Sequence, residues 1–157
     1  MYKRQPVQFP SEVAQRIYNL ILANQVALLT ADGQLFYGDQ DRIGAIPTVC
    51  VESGPTDRAL AGVPQRTENV LRCFIIVYWG KVQDNQVDKL QGELCAENIV
   101  RFLDDNLQLE MDGDGGVVIH GYVTDIDPGY ILRNERKTMM HAIRLTWTGK
   151  TKTMLGA

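Results

Sequence analysis

Val70-Leu71-Arg72-Cys73-Phe74-Ile75-Ile76-Val77-Tyr78-Trp79 is the stretch on which the fold turns. Leu71, Cys73, Ile75, Val77 and Trp79 fall on one face of an extended chain, and Val70, Phe74, Ile76 and Tyr78 deny the other face a polar character. A strand apolar on both faces must be covered on both, so this run is expected to be a central strand. Gly80 ends it.

Working outward, Asp84-Asn85 opens a predicted helix running to about residue 106, whose Val87, Leu90, Leu94, Cys95, Ile99, Phe102 and Leu103 form a broad apolar stripe meant to lie across the sheet. Upstream, Pro10-Ser11-Glu12 followed by Val13, Ile17, Leu20 and Ile21 predicts an N-terminal helix over residues 11–24. Residues 26–30 and 34–37 read as two short strands around the turn Ala31-Asp32-Gly33, although the first could instead extend the helix. Residues 46–51 read as a strand, with Pro47 favouring an edge or a strand start. Residues 52–68 contain Gly54, Pro55, Gly62 and Pro64 with little apolar periodicity, so a long loop reaching a neighbouring subunit is expected there. Downstream, Asp112-Gly113-Asp114-Gly115-Gly116 predicts a tight turn feeding a strand over 117–126. Asp127-Pro128-Gly129 predicts another turn, and residues 138–148 a final strand with a possibly extended tail at 149–157. In that strand Met139, His141, Ile143, Leu145 and Trp147 share one side. Helix, strands, helix, strands gives an α+β fold: a mainly antiparallel sheet with a long helix packed across it and an N-terminal helix, a single-layer α/β sandwich forming one domain over residues 1–157.

The bulk numbers agree with one core. A chain of 157 residues can bury about 70% of the surface its unfolded form exposes. Hydrophobic residues make up 45% and charged residues 22%, as in globular proteins. No apolar run approaches the roughly 18 residues of a membrane helix, and Met1-Tyr2-Lys3-Arg4-Gln5-Pro6 lacks a signal peptide's apolar stretch, so the expected site of synthesis and residence is the cytoplasm, without membrane contact. Cys50, Cys73 and Cys95 are odd in number with no CxxC spacing and read as reduced core thiols. A net charge of -3 argues against a DNA-coating protein. The charge is uneven: from Arg133 on, Arg133, Arg136, Lys137, Arg144, Lys150 and Lys152 face the single acid Glu135. That asymmetry suits head-to-tail contact between identical subunits.

Chemistry-bearing patterns are sparse. Asp112-Gly113-Asp114-Gly115 starts like a calcium loop but lacks the later ligands and the closing Glu, and reads as a Gly-rich turn. No glycine pattern completes a phosphate loop. His120 and His141 with Cys73 or Cys95 match no metal spacing. Asp127 followed by Glu135-Arg136-Lys137 is the one enzymatic pattern, since restriction-endonuclease-like nucleases use an acid and a Glu-x-Lys to hold a metal ion and position water. Trp79, Trp147, Tyr78, Tyr122 and Tyr130 could stack single-stranded bases, but their apolar neighbours favour core or interface roles. No catalytic residue, metal or cofactor is expected.

The N-terminal helix, Arg72 to Tyr78, the helix ending Ile99-Val100-Arg101-Phe102-Leu103, the segment Val117 to Gly129 and the closing Arg144-Leu145-Thr146-Trp147-Thr148-Gly149-Lys150-Thr151 together resemble the tail terminator (tail completion) and neck proteins of long-tailed bacteriophages. The resemblance implies a virion structural protein, assembled in the host cytoplasm, that forms a homo-oligomeric ring, usually a hexamer. Such a ring caps the tail tube, stops its polymerisation and joins it to the head connector. Implied partners are the tail tube protein, the sheath protein in contractile tails, and connector or adaptor proteins, with DNA passing through the ring without sequence-specific binding. A connector adaptor or head-closure ring is the alternative in the same class, and a metal-dependent nuclease the alternative in another. The expected contact residues are Thr56, Asp57, Arg58 and Leu60 in the 52–68 segment, Arg133, Arg136 and Lys137 in a basic hairpin, and Lys150 and Lys152 near the C-terminus.

Overall fold

The computed structural model describes residues 10–29, 33–44, 47–61, 66–81 and 86–154. Among these residues three helices and five strands follow in the order α1 (Pro10–Ala23), α2 (Gln25–Leu29), β1 (Gln34–Tyr37), β2 (Thr48–Ala61), β3 (Arg66–Lys81), α3 (Gln86–Asp104), β4 (His120–Arg133) and β5 (Thr138–Met154). The strands form one sheet in the order β1-β2-β3-β5-β4. Only the β1–β2 pair is parallel; the others are antiparallel. The α+β class, the dominant antiparallel sheet and the two helices expected from the sequence are all present.

β3 is the central strand, and its alternation divides the interior in two. Leu71, Cys73, Ile75, Val77 and Trp79 join Val49, Val51, Leu145 and Trp147 beneath the helices, where Val13, Ile17 and Ile21 of α1 and Cys95, Ile99 and Leu103 of α3 meet them. Ile76 and Tyr78 point the other way and cluster with Cys50, Met140 and Ala142 under Ile43, a residue of the segment joining β1 to β2. Burial of this apolar area, at about 25 cal/mol per Å², is the main term favouring the fold. All three cysteines are buried and free.

Five expectations need correction, the last of them in α3. Residues 26–29 are helical: Leu28 and Leu29 are adjacent and both buried, which one helical stripe allows and the alternating faces of a half-exposed strand do not. The long loop over 52–68 is absent from the described residues, which extend β2 to Ala61 and start β3 at Arg66, paired except at Gly54 and Pro55. Gly54 and Pro55 are absorbed in a bulge between Ser53 and Thr56. Ser53, Pro55, Asp57, Arg58 and Ala59 are exposed there, so no apolar alternation marks the strand. The Asp127-Pro128-Gly129 turn is likewise strand: β4 runs straight through it as the sheet's outer strand, where only alternate amides serve the ladder and a proline is tolerated. β5 continues to Met154, so the extended tail is ordered strand over residues 149–154.

α3 is turned relative to its expected stripe. Gly92, Cys95, Ala96, Ile99 and Leu103 face the sheet, while Leu90 is 69% and Leu94 51% exposed. Gly92 causes this: a Cβ there would lie 2.1 Å from the Trp79 Cβ, so the helix touches the sheet through its backbone. The Val87 side chain lies outside the described residues.

Candidate assembly surface

The residues singled out from the sequence sit at two opposite ends of the sheet. Asp57 on β2, Val70 on β3 and Lys150 on β5 share one transverse row, and Arg58 stands beside Asn69 and Thr151 in the next. The turn between β4 and β5 lies at the other end, about 12 residues along β5, or roughly 40 Å at strand rise. Leu60 and Lys152 belong to the first end by register, but their side chains lie outside the described residues.

At the first end the charges are paired within the chain. Asp57 meets Arg72 at 2.8 Å, Lys150 meets Glu68 at 3.6 Å, and Arg58 donates through Nε to Asn69 Oδ1 at 3.2 Å. Asn69 in turn donates to Thr151 Oγ1 at 3.2 Å, both residues being fully buried. Thr56 is half-buried, and its hydroxyl oxygen has no hydrogen-bond partner among the described residues.

At the second end the chain reverses through Asn134, Glu135 and Arg136, all left-handed with φ of 57°, 59° and 62°. Such conformations cost non-glycine residues about 1–2 kcal/mol each. The segment before β2 holds them: Asn134 and Glu135 donate backbone N–H groups to the Asp41 carbonyl at 2.7 Å and carboxylate at 2.8 Å, and Ile43 donates to Asn134 Oδ1 at 3.2 Å. Arg133 is drawn inward, donating to the Asp39 carboxylate and to the Tyr78 hydroxyl at 2.9 Å, while Tyr78 donates to Asp39 at 2.7 Å. Burial opposes the Arg133 charge, but Tyr78 and Asp39 outweigh it and raise its pKa. Burial, with Asp39 beside it, also pushes the Tyr78 hydroxyl up. Arg136 and Lys137 remain exposed, with Lys137 3.7 Å from Glu135.

Between the two ends runs a surface the sequence reading missed. Ile126 is 57% exposed, Tyr130 63%, Leu132 43% and Met139 42%. Ile126 pairs with Leu145, Tyr130 with His141 and Leu132 with Met139, so all four share the helix-bearing face of the sheet. His141 stacks on Trp79 with centroids 4.1 Å apart, and Tyr130 tilts against it at 4.9 Å. The apolar alternation at Ile126, Tyr130 and Leu132 is visible in the sequence once Pro128 is allowed inside an outer strand.

The catalytic alternatives lose their geometry. Asp127 lies on β4 beside Arg144 at 3.7 Å, whereas Glu135 and Lys137 occupy the turn about 20 Å further along, too far to share a metal ion. His120 stands opposite Lys150 and His141 opposite Tyr130, about 30 Å apart along the sheet. Asp114 accepts N–H groups from Gly116 at 2.9 Å and Met111 at 3.3 Å and meets Arg16 at 2.6 Å. Those bonds, the Gly116 amide first, hold its carboxyl at about 2. Arg16 and Asp114 line a cleft of about 680 Å³ beside α1. Among the described residues no group of three metal-ligating side chains comes together, and no helix is long and apolar enough to cross a membrane. Of the five aromatics considered for base stacking, Tyr78, Trp79 and Trp147 are buried, and the exposed Tyr122 and Tyr130 lie on opposite faces of β4.

No family model and no curated protein matches the chain. Its fold is shared, with a TM-score of 0.57 at 14% identity, by a solved chain described as the virion of a native gene transfer agent particle, over 92% of this chain and 99% of that one.

Proposed function

We propose that this chain is a structural protein of a phage-like virion, and that it forms a ring capping the tail tube, ending tube growth and joining the tail to the head connector. The observation that carries the reading is the fold shared, nearly end to end, with a chain of a gene transfer agent virion. The form of the sheet supports it. One strand system about 40 Å long presents different side chains at its two ends: Asp57, Arg58 and Lys150 with Arg72, Asn69 and Glu68 at one, and the left-handed turn carrying Glu135, Arg136 and Lys137 at the other. A terminator needs such asymmetry, since one face must match the last ring of the tube and the other must refuse a further tube subunit. In this reading Thr56, Asp57, Arg58, Leu60, Lys150 and Lys152 make one set of contacts, and Arg136 and Lys137 the other. Arg133, occupied by Asp39 and Tyr78, shapes the second end.

Mass in solution, measured by light scattering after size exclusion with negative-stain imaging of the same peak, tests the reading. A six-fold ring, alone or on added tail tubes, is the expected result. A twelve-fold ring transfers the assignment to a connector adaptor, and a monomer that never joins a tube rejects it.

A further inference from the structure

At one end the sheet narrows to three strands. β1 pairs with β2 only from Thr48 to Val51, and β4 begins at His120, opposite Lys150. Beyond those limits β2, β3 and β5 continue alone through four rows, from Arg58–Asn69–Thr151 to Ala61–Arg66–Met154, a tongue about 13 Å long at strand rise. Among the described residues nothing pairs with the outer edge of β2 from Thr56 to Ala61, or with that of β5 from Thr151 to Met154. Elsewhere strand addition is discouraged. A bulge and Pro128 interrupt the edge of β4, a bulge and Pro55 interrupt β2 before Thr56, and β1 offers only four residues.

The ladder fixes which backbone groups of the tongue are free. In a strand the N–H and C=O of one residue point to the same side, and successive residues alternate. The Lys150 carbonyl accepts from Ile119 on the β4 side, so Lys152 and Met154 also face that side, where β4 is no longer present. The Val51 carbonyl accepts from Gly38 on the β1 side; carried through β3 across the bulge, that phase turns Thr56, Arg58 and Leu60 outward. The free groups therefore alternate by row: Arg58 in the first, Lys152 in the second, Leu60 in the third, Met154 in the fourth. Parallel pairing needs this alternation, because each residue bonds to the two neighbours of the one beside it. β2 and β5 are both antiparallel to β3 and so run the same way. A rotation about an axis along the strands, with no shift along it, brings β2 of one copy beside β5 of another in that register.

Resting on the ring reading above, we infer that β2 of one copy adds to β5 of the next as a parallel strand. Lys152 donates its N–H to the neighbour's Arg58 carbonyl and accepts at its own carbonyl from the neighbour's Leu60, and Met154 donates to that Leu60 carbonyl. A two-fold contact of β2 with β2 leaves the β5 edge open. The head-to-tail contact occupies both edges of every copy, and a rotation without shift closes it into a ring. The joined tongues then form a barrel, which has no edge.

A chain carrying both Ala59→Cys and Lys152→Cys tests the register. Within one copy these positions are two strand spacings apart, about 10 Å, whereas a disulfide spans at most about 7 Å between Cα atoms. Between copies paired as inferred they are direct neighbours at about 4.8 Å. Under mild oxidation, with the native thiols buried, non-reducing gels should show a ladder of covalent multimers ending at the size of the ring. As a second measurement, Leu60→Pro and Lys152→Pro each remove an outward N–H and leave the bonds to β3 in place. Both variants should keep the circular dichroism spectrum and run at the mass of one copy where the unaltered chain runs as a ring. Mixed in equal amounts they should run as two copies, because one intact β2 edge then meets one intact β5 edge. Cross-linking that stops at two copies, or loss of association in only one proline variant, overturns the pairing in favour of a symmetric contact. Rings that neither cross-link nor respond to proline overturn the edge pairing while leaving the ring standing. An unaltered chain that never self-associates overturns both.

Discussion

The turn that carries Arg136 and Lys137 is held in an unfavourable backbone conformation, so whatever anchors it should be measurable. Beside the bonds from Asp41 and Ile43, the Asp39–Arg133–Tyr78 network braces the strand end that leads into it, and a double-mutant cycle of Asp39→Asn and Arg133→Met tests that brace. The two ionic side chains are 24% and 19% exposed. Removing one partner of a fully buried pair costs about 3–5 kcal/mol, and partial exposure reduces this to about 2 kcal/mol for either substitution. For a domain of this size that is a fall in melting temperature of about 4–8 °C. Because both residues serve one network, the double variant should fall short of additivity by about 1–2 kcal/mol. Equilibrium urea unfolding, followed through the buried Trp79 and Trp147, reads all four corners of the cycle. The network also fixes a pH dependence. The folded-state pKa of Tyr78 is raised above the ordinary tyrosine value of 10.0, so its contribution is fully present below pH 10 and declines as pH rises above it, where the unfolded chain ionises first. Additivity within about 0.5 kcal/mol would refute the idea that these side chains act together.

Gly92→Ala should lower stability by about 1–3 kcal/mol in thermal melts, because its Cβ would lie 2.1 Å from the Trp79 Cβ and α3 would have to lift. Gly149→Ala should do the same, since its Cβ would come within 2.2 Å of the fully buried Trp147 ring. The folded-state pKa of Asp114 is depressed, so its contribution should be present above about pH 4 and lost as pH falls toward about 2; Asp114→Asn should flatten that part of an acid titration followed by circular dichroism. Burial pushes the thiols of Cys50 and Cys95 up to about 12 and Cys73 higher still, so a thiol reagent at pH 8 should label none of the three until denaturant is added. Pro128→Thr restores an amide N–H on the outer strand and should speed aggregation at 37 °C several-fold by light scattering, with little change in melting temperature.

The core was legible because its signal is local. β3 announces itself by having no polar face, and α1 by its spacing of Val13, Ile17, Leu20 and Ile21; each is buried as read. Reading failed where an element leaves the core or touches it through glycine. Residues 52–59 are strand with half-buried or exposed side chains, so their order comes from pairing with β3, and no periodicity records it. Gly92 has no side chain to mark it as part of an apolar stripe, yet it is where α3 comes against Trp79, and turning the helix onto it leaves Leu90 and Leu94 at the surface. The contact residues were legible as charges but not as partners. Nothing in the sequence foretold that Arg133 would turn inward to Asp39, 94 positions away, while Arg136 stays exposed.

The outer strand is defended along its edge and undefended on its face. A bulge between Val123 and Asp125 breaks the regular row of amides, and Pro128 removes one outright, two devices that discourage another strand from adding there. Asp125 and Asp127 add charge on the side away from the helices. On the helix-bearing side, Ile126, Tyr130 and Leu132 are nevertheless left bare, although polar residues would fit a solvated strand as well. An unprotected edge would invite any strand, and a wholly polar one would invite nothing. The combination selects against strand addition and for a partner that covers a face, which a helix can do and a strand cannot.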